Sequence, residues 1–211
     1  NLVPPRESQV EPFLEMIEKV WMDTYTAEVG QQTLRSYIPK QLLLVGSASY
    51  NDDGSTTEGT AEGGRQIVLY SVNDFNFELE QIQSYAHVMH HEFAHILHQN
   101  VEYDAEFEKI TPSYSSSWMQ MNDETARSKG FITAYASSSA DEDFAEMVSI
   151  MLTNSPEDWD NMIENAGNAA AVEALRKKEA IVVAYMKNNW GVNMKDFQKE
   201  VVAAIEAAVR N

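Results

Sequence analysis

The stretch HVMHHEFAHILH, residues 87–98, holds every histidine of the chain, five in twelve positions out of 211. Inside it His91, Glu92, Phe93, Ala94 and His95 form the pattern HExxH. On an α-helix, positions i and i+4 lie on one face, about one turn apart. Two imidazoles so placed can share one Zn²⁺ at ~2.0–2.1 Å. Glu92 follows the first histidine and projects beside such a metal rather than onto it. There its carboxylate can take a proton from a water whose pKa the metal lowers to roughly 7. The motif therefore predicts His91 and His95 as metal ligands and Glu92 as the general base.

The surroundings agree with a buried helix. Ile82, Tyr85, Ala86, Met89, Phe93 and Ile96 supply its apolar positions. Ionisable groups on a buried face need partners, and a metal is the simplest partner. His87 and His98 share the stripe with His91 and His95. One tetrahedral ion cannot take four imidazoles from successive turns of a straight helix, so His87 and His98 are expected to flank the site. His90 points roughly 100° away from His91 and is expected not to be a ligand.

A catalytic zinc takes a third protein ligand and keeps one position open. With no cysteine, and no histidine outside 87–98, that ligand must be a carboxylate. DEDFAEMVSIML, residues 141–152, places Glu142 and Glu146 on one face of a helix whose Phe144, Ala145, Met147, Val148 and Met151 read as buried. One of the two glutamates can bind the metal. The other can accept the ring N–H of a ligand histidine and so fix its tautomer. Asp141 and Asp143 read as helix-start residues at the positive end of the macrodipole.

Composition limits the partners. Lys+Arg total 15 and Asp+Glu 33, a formal charge of −18, which repels nucleic acid and anionic lipid and favours retention of a cation. The absence of cysteine removes disulfides, thiolate metal sites and a cysteine nucleophile. No apolar run approaches the roughly 20 residues that span a bilayer. The chain opens on Asn1 rather than Met, so an export signal upstream is expected.

The remaining elements follow from periodicity and punctuation. NLVPP reads as the start of an extended tail over 1–8, with Ser8 and Glu11 as a capping box for a helix over 9 to about 29, closed by Gly30. QLLLVGSASY (41–50) and RQIVLYSV (65–72) are strand candidates, and the latter could receive an extended peptide as an added strand. The polar, glycine-rich loop between them, 51–64, is not a calcium loop. With Gly54 in the glycine position, Ser49 and Thr60 fall on the first and last ligand positions. Asp74 or Asn76 starts the histidine helix, which runs to about Gln99. Residues 111–140 read as loops with one short helix. Helices follow from about Asp141 to Leu152, from SPED at 155–158, over 169–189 with Gly191 as its end, and from Asn193, where Phe197, Val201, Ile205 and Val209 lie four apart. The predicted fold is α+β, mostly helical, with a small mixed sheet near its N-terminal side.

HExxH followed by ExxxE on a later helix resembles the gluzincin metallopeptidases. The likeness sharpens against the catalytic domain of anthrax lethal factor, which has HEFGH and then a tyrosine seven positions before an ExFAE-type segment. Here HEFAH is followed by ITAYASSSADEDFAE, with 47 positions from His95 to Glu142 and seven from Tyr135 to Glu142. That resemblance, over about residues 65–153, implies one zincin-like domain over 1–211. Its parts would be the tail (1–8), an N-terminal helix and sheet (9–74), a catalytic core (75–153) and C-terminal helices (154–211). It implies a single Zn²⁺ with Glu142 as third ligand, Glu146 behind a zinc-binding histidine, and Tyr135 as hydrogen-bond donor to the oxyanion. The implied activity is hydrolysis of peptide bonds.

The whole chain also resembles a group of Bacteroidetes surface lipoproteins, described as zinc metallopeptidases and associated with outer-membrane nutrient importers of the starch-utilisation type. This implies a cell-surface or periplasmic location, a lipid anchor on a cysteine upstream of Asn1, and an import complex as partner. Two other functions fit the same residues. One is a zinc-containing binding component of such a complex, without turnover. The other is a zinc amidase acting on non-peptide conjugates.

Overall fold

The protein is described from a computed structural model, which covers residues 2–50, 56–57, 59–62 and 66–210. It is mostly helical with a small mixed sheet, as the residue pattern predicts. Its contacts divide the chain into two compact units, residues 1–96 with 203–211, and residues 97–202.

The sheet of the first unit is built on QIVL, strand β5 (Gln66–Leu69), whose Ile67, Val68 and Leu69 are all buried. A strand buried on both faces is a central strand. Strand β1 (Gln41–Leu44) pairs parallel to it on one side, and β4 (Gly59–Glu62) pairs antiparallel on the other. The expectation that 65–72 could receive a peptide strand is therefore corrected: both edges of β5 are occupied. β2 (Ser49–Tyr50) and β3 (Thr56–Thr57) form a separate antiparallel pair. So the loop expected over 51–64 contains two short strands, with 51–55, 58, 63 and 64 outside the described residues. Its polarity and glycines concealed β4. Gly59 is needed there because a Cβ would come within 2.3 Å of Val88 Cγ1.

One helical run, 7–29, packs in this unit, as α1 (Glu7–Ile17), a π-helical turn (Glu18–Asp23) and α2 (Thr24–Val29). It starts two residues before the expected position, on Arg6, and no side chain caps it, so the Ser8–Glu11 capping box is not used. The first residues are no loose tail. Gly46 N–H donates to Val3 O at 2.8 Å, and Arg6 N–H to Asn73 Oδ1 at 2.7 Å. Gly30, at φ 78°, ends α2, and an unforeseen helix α3 (Gln31–Tyr37) follows directly. Phe13, Phe75 and Tyr85 meet edge-to-face at 4.9–5.5 Å between ring centroids and anchor the core.

The histidine helix α4 (Leu79–Asn100) starts in the first unit. Asn76 Oδ1 accepts from Glu78 N–H ahead of it, as expected of a residue at a helix start. In the second unit, α5 (Glu106–Ile110) is an addition to the expected elements. α6 (Asp123–Ser128) is the expected short helix, capped by Asn122. α7 (Ala140–Thr153) is capped by Ser139, and α8 (Pro156–Glu164) by Ser155. α9 (Ala169–Trp190) ends on Gly191 at φ 74°, and α10 (Met194–Ala208) closes the chain. The spacing of α10 holds through Ile205. Val209 lies past the helix end and is exposed rather than buried.

Candidate metal centre and its supports

On α4 the two motif histidines converge. His91 Nε2 and His95 Nε2 are 3.1 Å apart, with His91 buried and His95 half-buried. Two nitrogens on one tetrahedral zinc at ~2.05 Å would stand about 3.3 Å apart. The pair thus has the separation that a shared ion requires, and the donor type fits zinc. Glu92, half-buried, stands next in the chain. His87 lies one turn before His91, with ring centroids 5.8 Å apart.

His90 has a different task. It is fully buried, and its Nε2 bonds the carbonyl of Val20 at 3.1 Å. Val20 sits in the π-helical turn, whose wider spacing frees carbonyls from the regular ladder. Thr24 Oγ1 bonds in the same place, donating to Trp21 O at 2.8 Å. Burial pulls the His90 pKa down to about 3, so the ring is neutral and holds α4 to the preceding helical run. This accounts for a histidine that the motif alone leaves without a role.

The second unit carries the glutamates. Glu142 lies in the first turn of α7, half-buried, with its N–H donating to Ser139 Oγ at 3.3 Å. Glu146, one turn on, is 3% exposed and accepts from Thr133 Oγ1 at 2.6 Å. Tyr135 starts a short 3-10 turn (Tyr135–Ser137) and is 37% exposed. Its ring meets the Trp118 ring edge-on at 4.9 Å. His98, expected as a flanking group, packs against Tyr103 and Phe144, with Nδ1 4.0 Å from Asp141 Oδ1.

Asp143 stands in the first turn of α7, as expected, and has a second role. Its side chain and that of Lys178 on α9 are both fully buried, 2.5 Å apart. Lys178 Nζ also donates to Gly130 O at 2.8 Å and lies 4.4 Å from the Phe131 ring centroid. Tyr114 O–H donates to the same carboxylate oxygen at 3.0 Å. Burial pushes the Asp143 pKa up and the Lys178 pKa down, each against the pull of its partner. Nothing in the sequence around Lys178, which follows Arg176 and Lys177, announces this pair. Asp141, by contrast, is exposed and accepts from Tyr103 O–H at 2.7 Å.

The histidines of α4 and the glutamates of α7 carry donor atoms of the kinds a metal ion takes. No helix is long and apolar enough to cross a membrane.

A helix with HExxH, and a later helix with two glutamates behind a tyrosine turn, are the marks of a zinc-binding metallopeptidase scaffold. Residues 1–195 match the model of the family described as "Putative zinc-binding metallo-peptidase", and the chain belongs to that family. A crystal structure from Bacteroides caccae, of a protein described in the same words, is similar at a TM-score of 0.81 and 33% identity. The similarity covers 93% of this chain and 76% of that one. Among proteins of curated function, none matches.

Proposed function

We propose that the protein is a zinc-dependent peptidase of the gluzincin type, with one Zn²⁺ held by His91, His95 and Glu142. The observation that carries the reading is the convergence of the His91 and His95 Nε2 atoms at 3.1 Å, with Glu92 next to His91 in the chain. Each of the three ligands offers one atom of a kind zinc takes. This set is preferred because its histidines bracket Glu92 within HExxH. Zinc, when bound, supplies Lewis acidity that makes a water nucleophilic near neutral pH and polarises a carbonyl.

The chain's own residues do the rest. Glu92 removes the proton from the attacking water and hands it to the leaving amine. Tyr135 donates its phenolic hydrogen to the oxygen on which negative charge develops. Glu146 accepts the ring N–H of a ligand histidine, which fixes that ring's tautomer. In the three-stranded sheet a peptide strand would add at an outer strand, β1 or β4. The proposal extends to an extracytoplasmic, lipid-anchored protein that works beside an outer-membrane importer. That part rests on the family resemblance alone, and fractionation of cells producing the full-length protein tests it.

The test of activity is mass-spectrometric profiling of a diverse peptide mixture incubated with zinc-loaded protein, with Glu92→Ala in parallel. New peptide termini with the unaltered protein, absent with the variant at equal zinc content, are expected. Equal zinc content without cleavage by either would overturn the peptidase reading and favour a zinc-containing binding component.

A further inference from the structure

Tyr135 can donate to an oxyanion only if its turn is held still. We propose that Thr133 is the positioning residue that fastens this turn to α7, through one hydroxyl shared between Glu146 and the Ala136 amide. The proposal rests on the roles assigned above to Tyr135 and Glu146. Thr133 Oγ1 donates to Glu146 Oε2 at 2.6 Å and accepts from Ala136 N–H at 3.1 Å. A hydroxyl has one hydrogen to give and lone pairs to receive, so both bonds form at once.

The rest of the turn is held from within the same unit. Ala134 N–H donates to Asp123 Oδ1 at 2.7 Å, at the start of α6. Ser138 N–H donates to Tyr135 O at 2.9 Å, and Ser115 N–H to Ser137 O at 2.8 Å. These bonds shape the backbone on either side of Tyr135. Thr133 adds the link from that backbone to a carboxylate of the glutamate helix. Glu146 is buried, and an ionised carboxylate can only accept. By supplying a donor to Oε2, Thr133 sets how the carboxylate is turned and therefore where Oε1 points. The β-branched side chain restricts its own χ1 and keeps the hydroxyl on line. One side chain thus orients both the oxyanion donor and the group behind the metal ligand.

Thr133→Val keeps the shape and removes the hydroxyl. Thr133→Ser keeps the hydroxyl and removes the methyl. The two variants and the unaltered chain, all zinc-loaded, are compared by amide hydrogen exchange and by peptide turnover. In Thr133→Val the amides of 134–138 should exchange ~10-fold or more faster, because they open without global unfolding. Its kcat should fall ~10–100-fold with KM within about 3-fold, the signature of a displaced catalytic group. Thr133→Ser should stay within about 3-fold of the unaltered chain in both measurements. Unchanged exchange in Thr133→Val overturns the proposal, as does faster exchange with unchanged kcat. So does a loss in Thr133→Ser equal to that in Thr133→Val, or a Thr133→Val chain that fails to fold together with such a loss in Thr133→Ser, since packing would then be the cause. If the unaltered chain cleaves nothing, faster exchange in Thr133→Val still supports the fastening, and it is the peptidase reading that fails.

Discussion

Replacing Lys178 by Met tests whether the glutamate helix is held by a buried charge pair. Both side chains of the pair are fully buried, at 2.5 Å, and Asp143 is adjacent in sequence to Glu142. An exposed ion pair would be worth only about 0–1 kcal/mol. Here the variant leaves the buried Asp143 carboxyl without its ammonium partner and with the Tyr114 O–H as a donor, and removing one member of a buried pair costs roughly 3–5 kcal/mol. For a chain of this length, 1 kcal/mol moves Tm by about 2–4 °C, so Lys178→Met should lower Tm by roughly 6–20 °C.

The companion variant decides the cause. Asp143→Leu with Lys178→Met removes both charges, and similar exchanges elsewhere are often neutral or stabilising. The Gly130 carbonyl loses its ammonium donor, at a cost of about 1 kcal/mol. The double variant should therefore lie within about 2 kcal/mol of the unaltered chain, and the double-mutant cycle should show coupling of at least ~2 kcal/mol. Urea unfolding of the four proteins, zinc-free, at one pH, supplies the numbers. A Lys178→Met cost below about 1 kcal/mol would refute the reasoning, because it would mean that the pair is solvated.

Three further outcomes are expected. Tyr135→Phe should lower kcat by about 10²–10³-fold with KM little changed, as loss of one oxyanion donor does, and steady-state kinetics on a profiled peptide would show it. His90→Phe removes the donor to Val20 O while leaving zinc content, read by elemental analysis, at one ion per chain; stability should drop by roughly 1–3 kcal/mol in urea melts. Chelation of zinc from protein held at 100 times its Kd should lose about 2.7 kcal/mol, so Tm should fall by about 5–10 °C and recover on adding zinc back.

The readable parts of this protein are those in which one segment suffices. HExxH is a local pattern on one helix, and its consequence, the 3.1 Å approach of His91 and His95, needs only the helical repeat. Ser155, Pro156 and Gly191 mark helix ends for equally local reasons, and all three stand where expected. What escaped depends on partners far along the chain. β4 exists because β5 offers it an edge and because Gly59 admits Val88, and neither fact is visible in a polar, glycine-rich stretch.

The same division runs through the site. Glu142 and Glu146 are legible as a pair on one face, and Asp143, one position away, is legible as a helix-start residue but not as half of a buried ion pair. Its burial depends on Lys178, 35 positions on, whose ammonium it meets among aromatic rings. Thr133 is a threonine two positions before a tyrosine, and no periodicity singles it out. Its importance lies in a hydroxyl that serves the Tyr135 turn and Glu146 at the same moment. In the proposed reaction, the groups that carry the chemistry are found by motif, because chemistry demands particular residue types at particular spacings. The groups that hold them still are found only by geometry, because any donor at the right place would serve. Variants of the holding residues are therefore the sharper test of this structure, since a motif alone would not have chosen them.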